Sequence, residues 1–429
     1  MSQVSVGHSG GHAGGPHGHG VDQRKLLSQE NIYAPDFARP LSMGLIALGV
    51  IGIVGCLAFG LMATATGQVS VETLRRHAAA SFHVGAIIAL GLTLGPLGII
   101  MILHQVAAGW AVSVRRQLEN MAAMMPYAIL MVAISAGLGP VTHLWHWMHA
   151  DDLGNKALFL NYPFFYVRLA VYFAVWFLLS WRLNSLSREQ DATGDKWLTN
   201  RAKFTSAWGL LAFALSVAFG GFDLVMMIDH HWFSTMFPVY FFAGNMIASL
   251  SLLAVVLALL RASGKLEGIV TSEHFHDLGK LMLGFTVFWA YIAFSQYFLI
   301  WYAGIPEETA WYGVRLSHGW MTFAKILMFG HFVAPFLVLL FRATKRVPML
   351  LALVGCWQLI MHALDIFWQI RPDVYNNAGV MGLSWVDIAG VIGAPFLVLG
   401  LLLMKVRSGI LIPLKDPRLP EALGHKNYV

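Results

Sequence analysis

The chain has 429 residues, of which 57% are hydrophobic and only 12% charged, and its mean hydropathy is +0.64. No ordinary soluble domain of this length tolerates that composition, so most of the chain belongs in lipid and a separate soluble catalytic domain is excluded. The net charge of +6 calls for no nucleic-acid partner, because basic residues sorted to one membrane face are served by anionic headgroups.

Residues 1–40 contain no apolar core and so resemble neither a cleavable signal nor an ordinary transit peptide. Within them His8, His12, His17 and His19 are spaced by glycine. Flexible glycine raises the cost of ordering a metal site, so a disordered cytoplasmic tail is expected over 1–40, with metal binding as the lesser alternative. Uncharged runs of about 20 residues, the length that crosses a bilayer, then predict ten transmembrane helices. They lie near 41–64, 78–104, 121–145, 163–181, 204–228, 237–260, 279–303, 317–341, 349–370 and 385–405. The expected class is an all-α polytopic membrane protein with its membrane domain over 41–406 and a cytoplasmic tail over 407–429. Connections are short, except for a polar one at 182–203 and outward-facing ones at 146–162 and 371–384.

Lysine and arginine set the expected orientation. Twenty of the 28 lie on the side of the N-terminus and five (Arg75, Arg76, Lys156, Arg315 and Arg371) on the other, with Arg168, Lys280 and Lys325 in or at the ends of helices. The positive-inside rule then makes both termini cytoplasmic. Cys56 and Cys356 are the only cysteines. There is no CxxCH for covalent haem and no set for an iron–sulfur cluster, so no redox cofactor and no metal are expected on this chain.

Ionisable groups inside the bilayer are costly and mark candidate sites. Those here are His83, Arg168, Asp223, Lys325, His331, His362, Asp365 and Asp387, with His104 and Lys280 near the cytoplasmic ends. Lys325 precedes the loop 342–348 by 17 residues and Asp365 follows it by 17, so an antiparallel hairpin puts them at one depth, where they can pair. His362 shares a face with Asp365, and His331 lies about 9 Å deeper than Lys325 at 1.5 Å per residue. This ladder reads either as a proton relay or as a Lys–Asp lock between two helices. His143, His146 and His149, with Trp145 and Trp147, form a fan that suits an interfacial belt facing a partner better than a metal site, since no cysteine or buried carboxylate accompanies it. Ser234 and Thr235 stand where they can cap the next helix, and a single haem between His331 and His362 is a minor alternative.

Three stretches carry a family resemblance. Residues 274–318 run through an apolar helix into Ile305-Pro306-Glu307-Glu308-Thr309 between Trp301, Tyr302, Trp311 and Tyr312, with Arg315 beyond. Gly221-Phe222-Asp223 leads past Asp229 to His231-Trp232-Phe233-Ser234-Thr235, and the tail holds Asp416-Pro417-Arg418-Leu419-Pro420-Glu421. His104, Trp110, Arg115, Arg116 and Glu119 add to the pattern. Together they resemble the large NrfD-like quinone-binding subunits of alternative complex III, a bacterial quinol:cytochrome c (or other acceptor) oxidoreductase, and the ending is most like that of the F-type subunits. One departure is Gly304, where the family pattern has Asn.

The resemblance implies two four-helix bundles, helices 2–5 and 6–9, with helices 1 and 10 outside. It implies a multi-pass protein of the bacterial cytoplasmic membrane that supports quinol oxidation within a complex and is not catalytic alone, with proton translocation left open. Its implied partners are a homologous ten-helix subunit, an iron–sulfur subunit, c-type cytochrome subunits carrying the haems and, optionally, a terminal oxidase, with menaquinol or ubiquinol as substrate. His83, His104, Asp223, Lys325, His331, His362 and Asp365 are the proton-path candidates, and His143, His146, Asp229 and His231 the quinone or interface candidates. The rival from another class is a stand-alone proton or small-solute transporter. The weak internal repeat and the lack of matched Gly/Pro-broken helices speak against it.

Overall fold

The computed structural model describes residues 23–64, 70–150, 152–317, 319–375 and 383–427. Among them ten helices are long and apolar enough to cross a membrane. They are α1 (Arg39–Leu61), α2 (Val71–Gln105), α3 (Met125–Thr142), α4 (Tyr162–Thr193), α5 (Trp197–Leu224), α6 (Phe237–Ala262), α7 (Ser272–Ala303), α8 (Trp320–Leu340), α9 (Pro348–Tyr375) and α10 (Trp385–Arg407). The protein is an all-α polytopic membrane protein, and its segments follow the predicted order.

Helix ends follow local chemistry. Ser70 and Asn161 accept from the backbone N–H groups of Thr73 and Phe164 at the starts of α2 and α4, each satisfying a donor that the first helical turn leaves free. Proline occupies the first turn of α3, α4 and α6, where its missing N–H costs nothing. Gly304 closes α7 with φ of 65°. Glycine and asparagine both reach this left-handed C-cap without the usual Cβ penalty, so the departure from Asn at this position leaves the helix end intact. Capping by Ser234 and Thr235 does not occur. The N-cap of α6 is Met236 with no side-chain bond, and the Ser234 hydroxyl bonds Gln296 Oε1 at 3.1 Å instead. The expected polar loop 182–203 is mostly helix, because hydropathy registers only the lipid-embedded part of α4 and α5. The turn between them is Gly194 to Lys196, with Gly194 at φ 75°.

Packing resolves two four-helix bundles. Helices α2, α3, α4 and α5 form one ring of neighbours, α6, α7, α8 and α9 a second, and α2 joins them through α6 and α9. The almost wholly buried α2 and α6 are the central pair. Helices α1 and α10 pack against each other and onto α2. Small residues permit this contact: a Cβ on Gly85 would lie 2.1 Å from the carbonyl oxygen of Gly390. Apolar side chains such as Ile51, Val54, Leu211 and Leu353 project outward, as a lipid-facing surface requires.

His8, His12, His17 and His19 lie outside the described residues. Residues 23–40, assigned to a loose tail from composition, are folded. Asn31 is buried and its amide donates to the carbonyls of Leu26 and Glu267, while the Ile32 carbonyl accepts from Leu411 N–H at 3.0 Å. The C-terminal segment is likewise bound. Asp416 pairs with Arg115 at 2.6 Å, and His425 pairs with Asp277 at 2.6 Å and stacks near Trp110. Backbone and side-chain bonds between segments so far apart in the sequence are invisible to hydropathy, which explains the difference.

Candidate functional site

Two buried polar clusters lie one in each bundle, and they differ in how completely their hydrogen bonds are closed. In the first, Arg168 of α4 grips Asp223 of α5 with Nε to Oδ2 at 2.8 Å and an Nη to Oδ1 at 2.7 Å. Tyr172 donates a third bond to Oδ2 at 2.9 Å. The remaining Arg168 amine donates to the Phe159 carbonyl, and the guanidinium lies 3.7 Å from the Phe159 ring centre. His83 is equally committed: Nε2 is 2.7 Å from the Leu224 carbonyl and Nδ1 is 2.8 Å from the Ser135 hydroxyl. A carbonyl only accepts, so Nε2 carries the proton and Nδ1 accepts from the serine. This arrangement holds α2, α3, α4 and α5 together, and it has the geometry of a lock.

The second cluster is open. Asp365 of α9 is 1% exposed and accepts from the hydroxyl of Tyr240 on α6 and from Trp289 Nε1 of α7 at 3.2 Å. His331 of α8 stacks on Trp289 with ring centres 4.1 Å apart. Among the described residues, neither ring nitrogen of His331 nor of His362 has a hydrogen-bond partner, and the same holds for both amide atoms of Asn245 and the Ser249 hydroxyl. Leaving such groups unsatisfied costs about 1–3 kcal/mol each, and native interiors rarely do so without a function or a bound polar molecule. Gln358, His362, Asp365 and Gln369 recur at steps of four, three and four residues, one stripe of α9 spanning about 16 Å at 1.5 Å per residue. The closeness of Gly91 and Gly244 lets this stripe approach α2 and α6: a Cβ on Gly91 would fall 2.2 Å from Asn245 Oδ1, and one on Gly244 would fall 3.2 Å from His362 Nδ1. Helix α8 makes a π-turn over Leu327–Val333 around His331, an irregularity frequent at functional positions.

Two apolar cavities flank the stripe. One of about 400 Å³ is lined by Tyr240, Trp289, Gln296, Tyr297, Trp311, Tyr312 and Trp368 among others. The other, of about 450 Å³, is bounded by α2, α8, α9 and α10 and lined by His362, Phe323, Phe367 and Pro395 among others. The first touches Tyr240, the donor to Asp365, and the second touches His362. Burial also pushes the Tyr312 hydroxyl up to about 12, still further from ionisation than an ordinary tyrosine.

Lys325 does not pair with Asp365. It is exposed on the outer face of α8, and no carboxylate lies within ion-pair distance of it among the described residues. Counting residues along a hairpin yields depth but not azimuth, and α9 turns Asp365 toward α6 and α7. The buried cations are others. Arg315 pairs with Asp373 at 2.6 Å and lies 3.3 Å from the Trp311 ring centre. Arg371 pairs with Asp387 at 2.6 Å, which also accepts from Ser81 at 2.8 Å, joining α9, α10 and α2. Both arginines lie beside loops and therefore read from the sequence as surface charges. Of the remaining candidates, His104 is buried and shares a small pocket with Arg115 and Asp416. Asp229 accepts from His231 N–H at 3.0 Å, which is a turn-forming bond. His143 stacks on His149 at 3.7 Å and approaches Glu72 at 3.5 Å, whereas His146 Nε2 is buried without a hydrogen-bond partner among the described residues. No group of three metal-ligating side chains occurs among the described residues. Gln358, Gln369, Tyr240, Asn245 and Trp289 are not among the candidates that charge and motif single out in the sequence. The α9 step pattern could have found the two glutamines, but nothing local marks the other three.

Comparison with protein-family models and with curated protein sequences finds no match for this chain.

Proposed function

We propose that this protein is an integral subunit of a respiratory quinol:cytochrome c (or other acceptor) oxidoreductase of the alternative complex III kind, in a bacterial cytoplasmic membrane. Its part is to seat quinol in the aromatic cavity and to accept a proton from it. The observation that carries this reading is the cavity of about 400 Å³ whose lining includes the hydroxyl-bearing Tyr240, which donates to the buried Asp365. An isoprenoid quinol needs an apolar slot for its ring and tail and a basic group for its hydroxyl proton. Oxidation releases two protons and two electrons. Asp365, reached through Tyr240, takes one of the two protons, and the other leaves to water at the membrane surface. The electrons would pass to the iron–sulfur and c-type haem centres that the family resemblance implies in partner subunits.

The reading is tested by mild-detergent purification from native membranes. Co-elution with haem c and iron, together with photo-crosslinking of an azidoquinone to the segment 289–297, is expected. A colourless, stable monomer that takes no quinone label would overturn it and favour a stand-alone transporter. The π-turn that interrupts α8 at His331 is the feature that supports that second reading.

A further inference from the structure

At the end of the bundle that carries both described chain termini, a cavity of about 610 Å³ opens between α3, α4 and α10. Its lining divides by height. Pro126, Phe177 and Trp181 form an apolar wall, and beyond them stand Asn184, Arg188 and Lys405. Trp181 lies about 28 Å and Arg188 about 39 Å along α4 from Tyr162, at 1.5 Å per residue. Lys405 lies about 30 Å along α10 from Trp385 by the same rise. A hydrocarbon layer about 30 Å thick therefore ends near Trp181, and the two cations stand at headgroup height. Both cations border this one cavity. Arg188 makes one side-chain bond, to Asn184 Oδ1 at 2.7 Å, and neither cation has an ion-pair partner among the described residues. Glu189 borders the same cavity without reaching either of them.

We infer that this cavity is a binding site for an anionic phospholipid, its phosphate held between Arg188 and Lys405 and its acyl chains along Pro126, Phe177 and Trp181. Two like charges in one cavity with no carboxylate within ion-pair distance among the described residues favour an anion between them, and the phosphodiester supplies it at the height where the cations stand. Basic pockets between transmembrane helices are the usual form of such sites, and a tryptophan at the boundary suits the glycerol level. The site lies between the first bundle and α10 and does not depend on the quinol reading.

The test uses the intact complex, partially delipidated and re-exposed to defined lipids, with retained lipid read by native mass spectrometry. Phosphatidylglycerol is expected to stay bound and phosphatidylcholine to wash out. Arg188→Gln with Lys405→Gln should lower phosphatidylglycerol retention by about 30-fold, the worth of two basic residues at an anionic headgroup. The charge-preserving exchange Arg188→Lys with Lys405→Arg should keep most of it. Should the double glutamine variant fail to assemble, Lys405→Gln alone is expected to lose about fivefold, roughly the share of one such residue. Equal retention of the two lipids, or unchanged retention in the glutamine variants, would overturn the assignment. Displacement of the lipid by excess inorganic phosphate would also overturn it, marking the site as one for a soluble anion.

Discussion

Asp365 and Lys325 are separate in space, and this separates their expected phenotypes. Asp365→Asn keeps the volume and the bond from Tyr240 but removes the titrating group. Assembly should survive while acidification coupled to quinol oxidation in vesicles falls, and full proton-to-electron stoichiometry in this variant would rule out Asp365 as the acceptor. Lys325→Met, on an exposed face, should change stability by no more than about 0.5 kcal/mol and leave acidification as it was. The opposite behaviour is expected at the closed pair. Arg168→Met strands the carboxylate of Asp223, which is 0% exposed, and breaking a buried pair in this way costs about 3–5 kcal/mol. Adding Asp223→Leu should recover most of the loss, because a pair that only locks helices is replaceable by apolar side chains. Thermal unfolding in detergent measures both, and a double variant as unstable as Arg168→Met would argue against a purely structural role.

Helix α10 depends on closeness to α2 as much as on its own hydrophobicity. A methyl group at Gly85 would sit 2.1 Å from the Gly390 carbonyl oxygen, a main-chain atom that cannot rotate away. Gly85→Ala is therefore expected to push the two helices apart at a cost of about 1–3 kcal/mol, the usual range for overpacking. Gly44→Ala on α1 meets nothing within 4 Å and should be neutral or slightly stabilising. Equal melting temperatures for the two variants would show that the α2–α10 contact has slack. The same reasoning explains the small residues at Gly91 and Gly244, which let Asn245 and His362 approach the facing backbones.

The molecule's two ends are expected to face different compartments. In a variant with Cys56 and Cys356 replaced by serine, an impermeant thiol reagent added to intact cells should label Glu307→Cys and spare Lys196→Cys, both exposed positions. The reverse pattern would invert the topology read from basic residues. The C-terminal strap adds a pH dependence. Burial disfavours ionised Asp416, but the Arg115 guanidinium, the Arg418 backbone N–H and the Arg418 charge outweigh it and hold the carboxyl below its ordinary 3.8. A carboxyl depressed on folding stabilises fully above its unfolded value and loses that contribution as pH falls through its folded value. The strap should therefore stay docked above about pH 4, the ordinary carboxylate range, and loosen below it. Pepsin cleavage near Leu419 as the pH is lowered reads this, and Asp416→Asn should remove the transition by leaving the strap loose throughout.

Ten membrane spans and their order were legible in the sequence, because the bilayer imposes one length and one polarity on every helix that crosses it. The pairing of His362 with Asp365 on one face was legible for the same kind of reason, since helical periodicity is local. Partners across helices were not. Asp223 meets Arg168, and Asp365 meets Tyr240 and Trp289, because each helix has a particular rotation about its axis, and that rotation is set by interhelical packing at glycines such as Gly85 and Gly244. Depth along a span follows from residue number, but azimuth does not. Which buried acid is locked and which is open could therefore be decided only by the tertiary structure.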